Sequence, residues 1–139
     1  MELVIDTLIS GFPYFISHFG LALIMLGAGV FIYEKITPYD ELELVREGNV
    51  AAAISLAAAI LGLGIPLAAC LEGSVSLWDI FIWGWVILII QLLAFYFASL
   101  VIDYLKGRIE RNEIGAAILL FAGKISIALL NAAAISDNL

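Results

Sequence analysis

The sequence predicts an all-α membrane protein, with four transmembrane helices built as two tandem helical hairpins of the same orientation, plus short interfacial helices. Composition is the first of two observations behind this: 64% of the 139 residues are hydrophobic and only 14% are charged. Soluble domains are nearer half apolar and a quarter charged. The second is that the mean hydropathy, +1.12, is concentrated in four segments long enough to cross a bilayer, which takes about 20 mostly apolar residues. A soluble chain this short keeps too much of itself at the surface to hide so much apolar area. Residues 1–139 read as a single integral membrane domain.

Residues 1–10 are apolar but short, and Gly11 and Pro13 set them apart. They are expected to form an interfacial helix. Glu2 and Asp6 stand where a secretory signal would carry basic residues, so the first span is expected to be retained. That span covers about 13–36. In the connection that follows, Thr37 is expected to cap a short helix with Pro38 at its first position and acids in its first turn. Asp40, Glu41, Glu43 and Glu47 read as its solvated face, or as a site for a cation or basic partner, and Leu42 and Leu44 as resting on the membrane. Gly48 should end the short helix and Asn49 cap the second span, 49–71. The third span covers about 78–102 and ends at Asp103. Gly107 is then expected to break the chain and Asn112 to cap the fourth span, 113–136.

Lys35 and Arg46 lie in the first connection and Lys106, Arg108 and Arg111 in the third; the N-terminus, the 72–77 loop and the C-terminal tail have none. Positive charge marks cytoplasmic loops, so both basic connections are expected inside and both termini outside. Trp78, Trp83 and Trp85, with Phe12, Tyr14 and Phe15, form the outer aromatic belt.

Displacing the chain by 64 residues aligns its halves without a gap: Gly20 with Gly84, Phe31 with Phe95, Ala52 with Ala116, Ala58 with Ala122, Ala68 with Ala132. Repeat 1 spans about 13–71 and repeat 2 about 78–136, related by a pseudo-two-fold along the membrane normal. The second and fourth spans are rich in small residues, including Ala51, Ser55 and Ala59 at spacings of four. Such faces allow close helix approach in lipid. These two spans are expected at the centre of the protomer or at an oligomer contact, with the aromatic-rich first and third outside.

Lys124 is the least expected residue, eleven positions after Glu113 in the fourth span. A central lysine costs about 2.5–3.5 kcal/mol on insertion scales, which calls for a partner, a water-filled cavity or a neutral amine. Gln91 and Asn131 are its expected partners, and Lys124, Gln91 and Asn131 together form a candidate intramembrane polar site. The alternative is a polar clamp between helices or subunits, and Gln91 and Asn131 taken alone read as packing glue. A Glu34–Lys124 pair would need the helices to tilt or slide. Gly62, Gly64 and Pro66 form a candidate hinge, or a fixed kink that curves the helix around its neighbour. His18 reads as an interfacial hydrogen-bonding histidine, with pH sensing as the alternative.

No nucleophile–base pair, Gly-rich phosphate loop or Cys/His cluster of metal-ligand spacing occurs, and Cys70 is the single cysteine. No catalytic, cofactor-binding or metal residues are therefore assigned, and the chain is read as not an enzyme. The charge of −7 does not suggest a nucleic-acid partner. The run Lys35-Ile36-Thr37-Pro38, then Asn49-Val50-Ala51-Ala52, Gly62 and Ile65-Pro66-Leu67, resembles the YjfL family of bacterial inner-membrane proteins. Trp83-Gly84, Gln91-Leu92-Leu93 and Asn131-Ala132-Ala133 continue the resemblance through the second half. It implies a duplicated four-helix protein of the bacterial inner (plasma) membrane, with no reaction attached. It also implies gene neighbourhoods concerned with the envelope or membrane stress, and a small or apolar residue where Lys124 stands. Two functions follow as expectations. One is a non-enzymatic homo-oligomeric scaffold or subunit that binds an envelope partner in the lipid bilayer. The other is a small oligomeric ion channel or transporter with its polar site near Lys124.

Overall fold

The computed structural model describes residues 1–102 and 104–138, with side chains described as far as Ser136. Asp103, the expected end of the third span, lies outside the described residues. The elements run α1 (Glu2–Ile36), α2 (Glu41–Arg46), α3 (Val50–Gly73), α4 (Leu77–Val101), α5 (Leu105–Glu110) and α6 (Ile114–Asn138). Of these, α1, α3, α4 and α6 are long and apolar enough to cross a membrane. The chain is an all-α membrane protein.

The N-terminal residues do not form a separate helix. They continue α1, which runs through Gly11 and Pro13 for 35 residues, about 52 Å at 1.5 Å per residue. Pro13 removes only the bond to the Ile9 carbonyl, and Ile9 is exposed. A break at a membrane surface would free more backbone groups than that. Tyr14 donates to the Ser74 carbonyl in the α3–α4 loop at 3.1 Å, so the turns before it extend past the bundle.

At its other end α1 stops at Thr37. This residue precedes Pro38, which disfavours helix, and is extended at φ −67°, ψ 145°. Thr37 therefore closes α1 instead of capping α2. Asp40 takes that role, its carboxylate accepting from the Glu43 N–H at 3.2 Å. Gly48 ends α2 at φ +88°, a conformation glycine adopts without strain. In the third connection the break falls before α5. Tyr104 is left-handed at φ 56°, and Gly107 lies inside the helix it was expected to interrupt.

The two connections cap each other. Asn49 accepts from the Ala52 N–H at 2.8 Å, capping its own helix as expected, and donates through Nδ2 to the Ile109 carbonyl at 2.8 Å. Asn112, left-handed at φ 62°, does not cap α6. Its Oδ1 accepts from the Ala51 N–H of α3 at 2.9 Å. A capping bond is worth about 1 kcal/mol. Because Asn49 also holds α5, Asn49→Ala should cost about 2 kcal/mol by chemical unfolding in detergent. The displacement of 64 that aligns the sequence halves also carries α2 onto α5, the start of α3 onto that of α6, and Gly48 onto Asn112.

The α3–α6 pair makes the most extensive helix contact, and α3 also touches α1 and α4. The small residues Ala51, Ala52, Ser55, Ala58, Ala59 and Gly62 are buried on α3, as close helix packing in lipid requires. Only His18, Gly29 and Tyr33 are buried on α1. The α4 helix is less peripheral than its aromatic content implied. It buries Ile80, Gly84, Ile87, Leu88, Gln91, Ala94 and Phe95, because its tryptophans crowd one end and leave an apolar and small-residue face for the bundle.

Candidate functional site

Lys124 lies ten residues into α6, about 15 Å from its start, and is 1% exposed. The Cα–Cβ bonds of a helix tilt toward its N-terminus. The lysine therefore leans toward the end of the bundle where α1 finishes and α2 and α5 lie. There its Nζ donates to the Tyr33 hydroxyl. It also sits 3.8 Å from the centroid of the Tyr33 ring and 6.0 Å from that of Phe95. The Tyr33 and Tyr39 rings pack on Phe95 at 5.9 and 6.0 Å. The Tyr39 hydroxyl shares a hydrogen bond of 2.8 Å with Ser55 Oγ.

Two carboxylates complete the cluster. Glu41 is fully buried, and among the described residues neither of its oxygens has a hydrogen-bond partner other than the Ser55 hydroxyl. The Ser55 hydroxyl lies beside it, engaged with Tyr39, and the charges of Glu34 and Lys124 act on it. Burial pushes the Glu41 carboxyl well above the usual carboxylate range. The charge of Glu34 adds to this and that of Lys124 opposes it. Burial likewise raises the Tyr39 phenol, with Glu41 contributing. Glu34 has one buried oxygen without a partner. It faces an open groove of about 590 Å³ walled by Glu34, Lys35, Pro38, Tyr39 and Asp40. A second, apolar groove of about 210 Å³ between α4 and α6 reaches Lys124 from the outer surface of the bundle, past Phe97, Leu119 and Gly123.

The sequence-predicted trio is not joined in this structure. Lys124 bonds Tyr33, not Gln91 or Asn131, and no hydrogen bond links the three among the described residues. Gln91 is fully buried on α4 with both amide atoms unpartnered, packed on Gly62. The Nδ2 of Asn131 is also buried without a partner. Within the candidate hinge, Gly62 and Pro66 are buried, while a Cβ at Gly64 would meet only Leu26, at 3.9 Å. His18 stacks on Tyr14 at 3.7 Å, and its Nδ1 bonds the Tyr14 carbonyl at 2.9 Å, far along α1 from the lysine. Sequence reasoning missed Tyr33, Tyr39, Ser55 and Phe95 and set Glu41 on a solvated face. The direction of the lysine along its helix was the available signal. Among the described residues, no three His, Cys, Asp or Glu side chains are grouped to hold a metal.

An ionisable cluster at one end of a bundle of four apolar helices defines a membrane protein with a polar site, and the comparisons place it in a family. The chain belongs to the family described as Domain of Unknown Function (DUF350), whose model matches residues 7–135. It is similar to the UPF0719 inner membrane protein YjfL of Escherichia coli K12, 32% identical over 130 residues that cover 94% of this chain and 96% of the relative. The same protein of Escherichia coli O157:H7 matches to the same extent. No solved structure matches the chain.

Proposed function

We propose that this protein is a small, non-enzymatic, ion-handling subunit of the bacterial inner membrane that works as a homo-oligomer. The observation carrying this reading is the cluster of buried Lys124, Tyr33 and Glu41 with half-buried Glu34 beside them. A lysine as far into a span as Lys124 is costly, and such residues are typically kept for ion or proton paths. The outer half of the bundle is filled by Leu63, Pro66, Leu67, Ile80 and Ile87, so a complete path needs more than one protomer. Two tandem hairpins, residues 13–71 and 78–136, account for the 64-residue coincidence of helix bounds. The Lys and Arg bias puts α2, α5 and the cluster on the cytoplasmic side and both termini outside.

The test is flux of protons, alkali cations and chloride in sealed liposomes, with Lys124→Met beside the unaltered protein. Flux above that of empty vesicles, falling to their level in the variant, is the expected result. Absence of flux for every ion across a range of pH would overturn the reading.

A second reading, a scaffold or envelope-partner subunit in membrane stress, is favoured by the first turns of α1. There Leu3, Val4, Leu8, Ile9 and Phe12 are exposed on a helix that extends past the bundle. Under this reading, deleting residues 2–12 abolishes oligomerisation or partner capture.

A further inference from the structure

We propose that Glu41 is the proton-binding residue of this cluster, loaded from the α2 side through the groove beside Glu34. This rests on the ion-handling reading and names the ion.

An ionised carboxylate is acceptor-only and needs several donors. Glu41 is fully buried, and the Ser55 hydroxyl, shared with Tyr39, is the one side-chain donor beside it among the described residues. Its neighbours suit both protonation states. The hydrogen bond between Tyr39 and Ser55 can run in either direction. With Tyr39 donating to Ser55, the Ser55 proton is free for an ionised Glu41. With Ser55 donating to Tyr39, a lone pair on Ser55 can accept from the protonated acid. Reversing that bond turns both hydroxyls as the proton arrives, with no movement of the backbone.

The groups around Glu41 come from every packed element. Tyr33 and Glu34 lie on α1, Tyr39 in the turn, Ser55 on α3 and Lys124 on α6, while Phe95 of α4 supplies an apolar wall. Glu34 favours the proton on Glu41 and Lys124 opposes it, which keeps the site able to release what it binds. Asp40 acts on Glu34 and is exposed at the groove mouth, so Asp40 and Glu34 form a short acidic approach from water. The positive charge of Lys124 disfavours a metal cation in the same place.

Infrared difference spectra of the protein in nanodiscs, recorded along a pH titration, test this. The expected result is a protonated-carboxyl stretch that persists to neutral pH and is absent from Glu41→Gln. In Glu34→Gln the same band should titrate at lower pH, because a negative neighbour is gone. In Lys124→Met it should titrate at higher pH. A spectrum with no protonated carboxyl at neutral pH, or a band unchanged in Glu41→Gln, overturns the proposal. Should Glu41→Gln fail to fold by circular dichroism, the other two variants decide, since the proposal requires their midpoints to move in opposite directions. Lys124-dependent flux with a band that survives Glu41→Gln overturns this proposal and leaves the ion-handling reading standing. A band that titrates as described in a protein without flux supports Glu41 as the proton site and overturns only ion handling.

Discussion

Lys124→Met should unfold more readily than the unaltered protein, by an amount that is larger near neutral pH than in acid. Glu41 is fully buried with only the shared Ser55 hydroxyl beside it as a side-chain donor among the described residues, and Lys124 is the positive charge acting on it. Removing one member of a buried charge pair typically costs about 3–5 kcal/mol, because the other charge is left uncompensated. That cost applies only while Glu41 is ionised. Its folded pKa is raised, so the stability it contributes is fully present below the unfolded carboxylate value and is lost as pH rises through the folded one. In acid, the methionine variant should therefore lose only the Tyr33 hydrogen bond and the ring contact, about 1–2 kcal/mol together. Where Glu41 is ionised and Lys124 still carries its proton, the deficit should approach the full value for an uncompensated charge. The double variant Lys124→Met/Glu41→Gln should recover most of it, since a neutral replacement of a buried ion pair is often near neutral. Unfolding by a denaturing detergent in acid and near neutrality measures all three proteins. A methionine variant as stable as the parent across the range would deny Lys124 an electrostatic role. The acidic condition also supplies the folded sample that the flux comparison needs.

The spans were legible because bilayer thickness fixes a length and lipid fixes a composition, and both can be read one segment at a time. The ends of α3, α4 and α6 fall within two residues of expectation. Features that depend on how segments meet were less accessible. Thr37 and Pro38 carry the signals of a helix start, yet the same proline forces Thr37 to close α1, and the following turn folds α2 back so that Glu41 points inward. Nothing in the spacing of four acids says which one the turn will bury. Asn112 carries a capping signal too, but the helix it caps is α3, sixty-one residues away in sequence. Lys124 was conspicuous through its cost in lipid. Its partner was misassigned because depth was compared between helices while the backward tilt of its side chain was not. Gln91 lies at similar depth in α4, but the lysine leans toward the α1 terminus and Tyr33. The continuity of α1 was missed for a related reason. Gly11 and Pro13 are breakers in water, where freed backbone groups are hydrated, and weaker ones at a membrane.

Gly62→Ala should be the most damaging single-methyl addition on α3. A Cβ there would lie 2.6 Å from Gln91 Oε1 and 2.8 Å from its Cδ. Gln91 is fully buried, so its amide cannot swing into solvent, and the strain must pass to the α3–α4 spacing. Overpacking of this kind costs about 1–3 kcal/mol, while the alanine itself favours helix by about 1 kcal/mol over glycine. A measured net loss therefore understates the steric term. Gly84 supplies the contrast. A Cβ there would strike the terminal methyl of Met25, and methionine has three rotatable bonds with which to move aside, so Gly84→Ala should be close to neutral. Shortening the obstructing side chain in Gly62→Ala/Gln91→Ala should restore stability beyond the sum of the single changes, because residues in contact do not act additively. Chemical unfolding of the two single variants and the double variant closes the cycle. Gly62→Ala as stable as the parent, or strict additivity with Gln91→Ala, would show that α3 and α4 do not depend on this contact. The predicted pattern would make Gly62 a packing position, whose small size admits the Gln91 amide, and would count against a hinge at that point of α3.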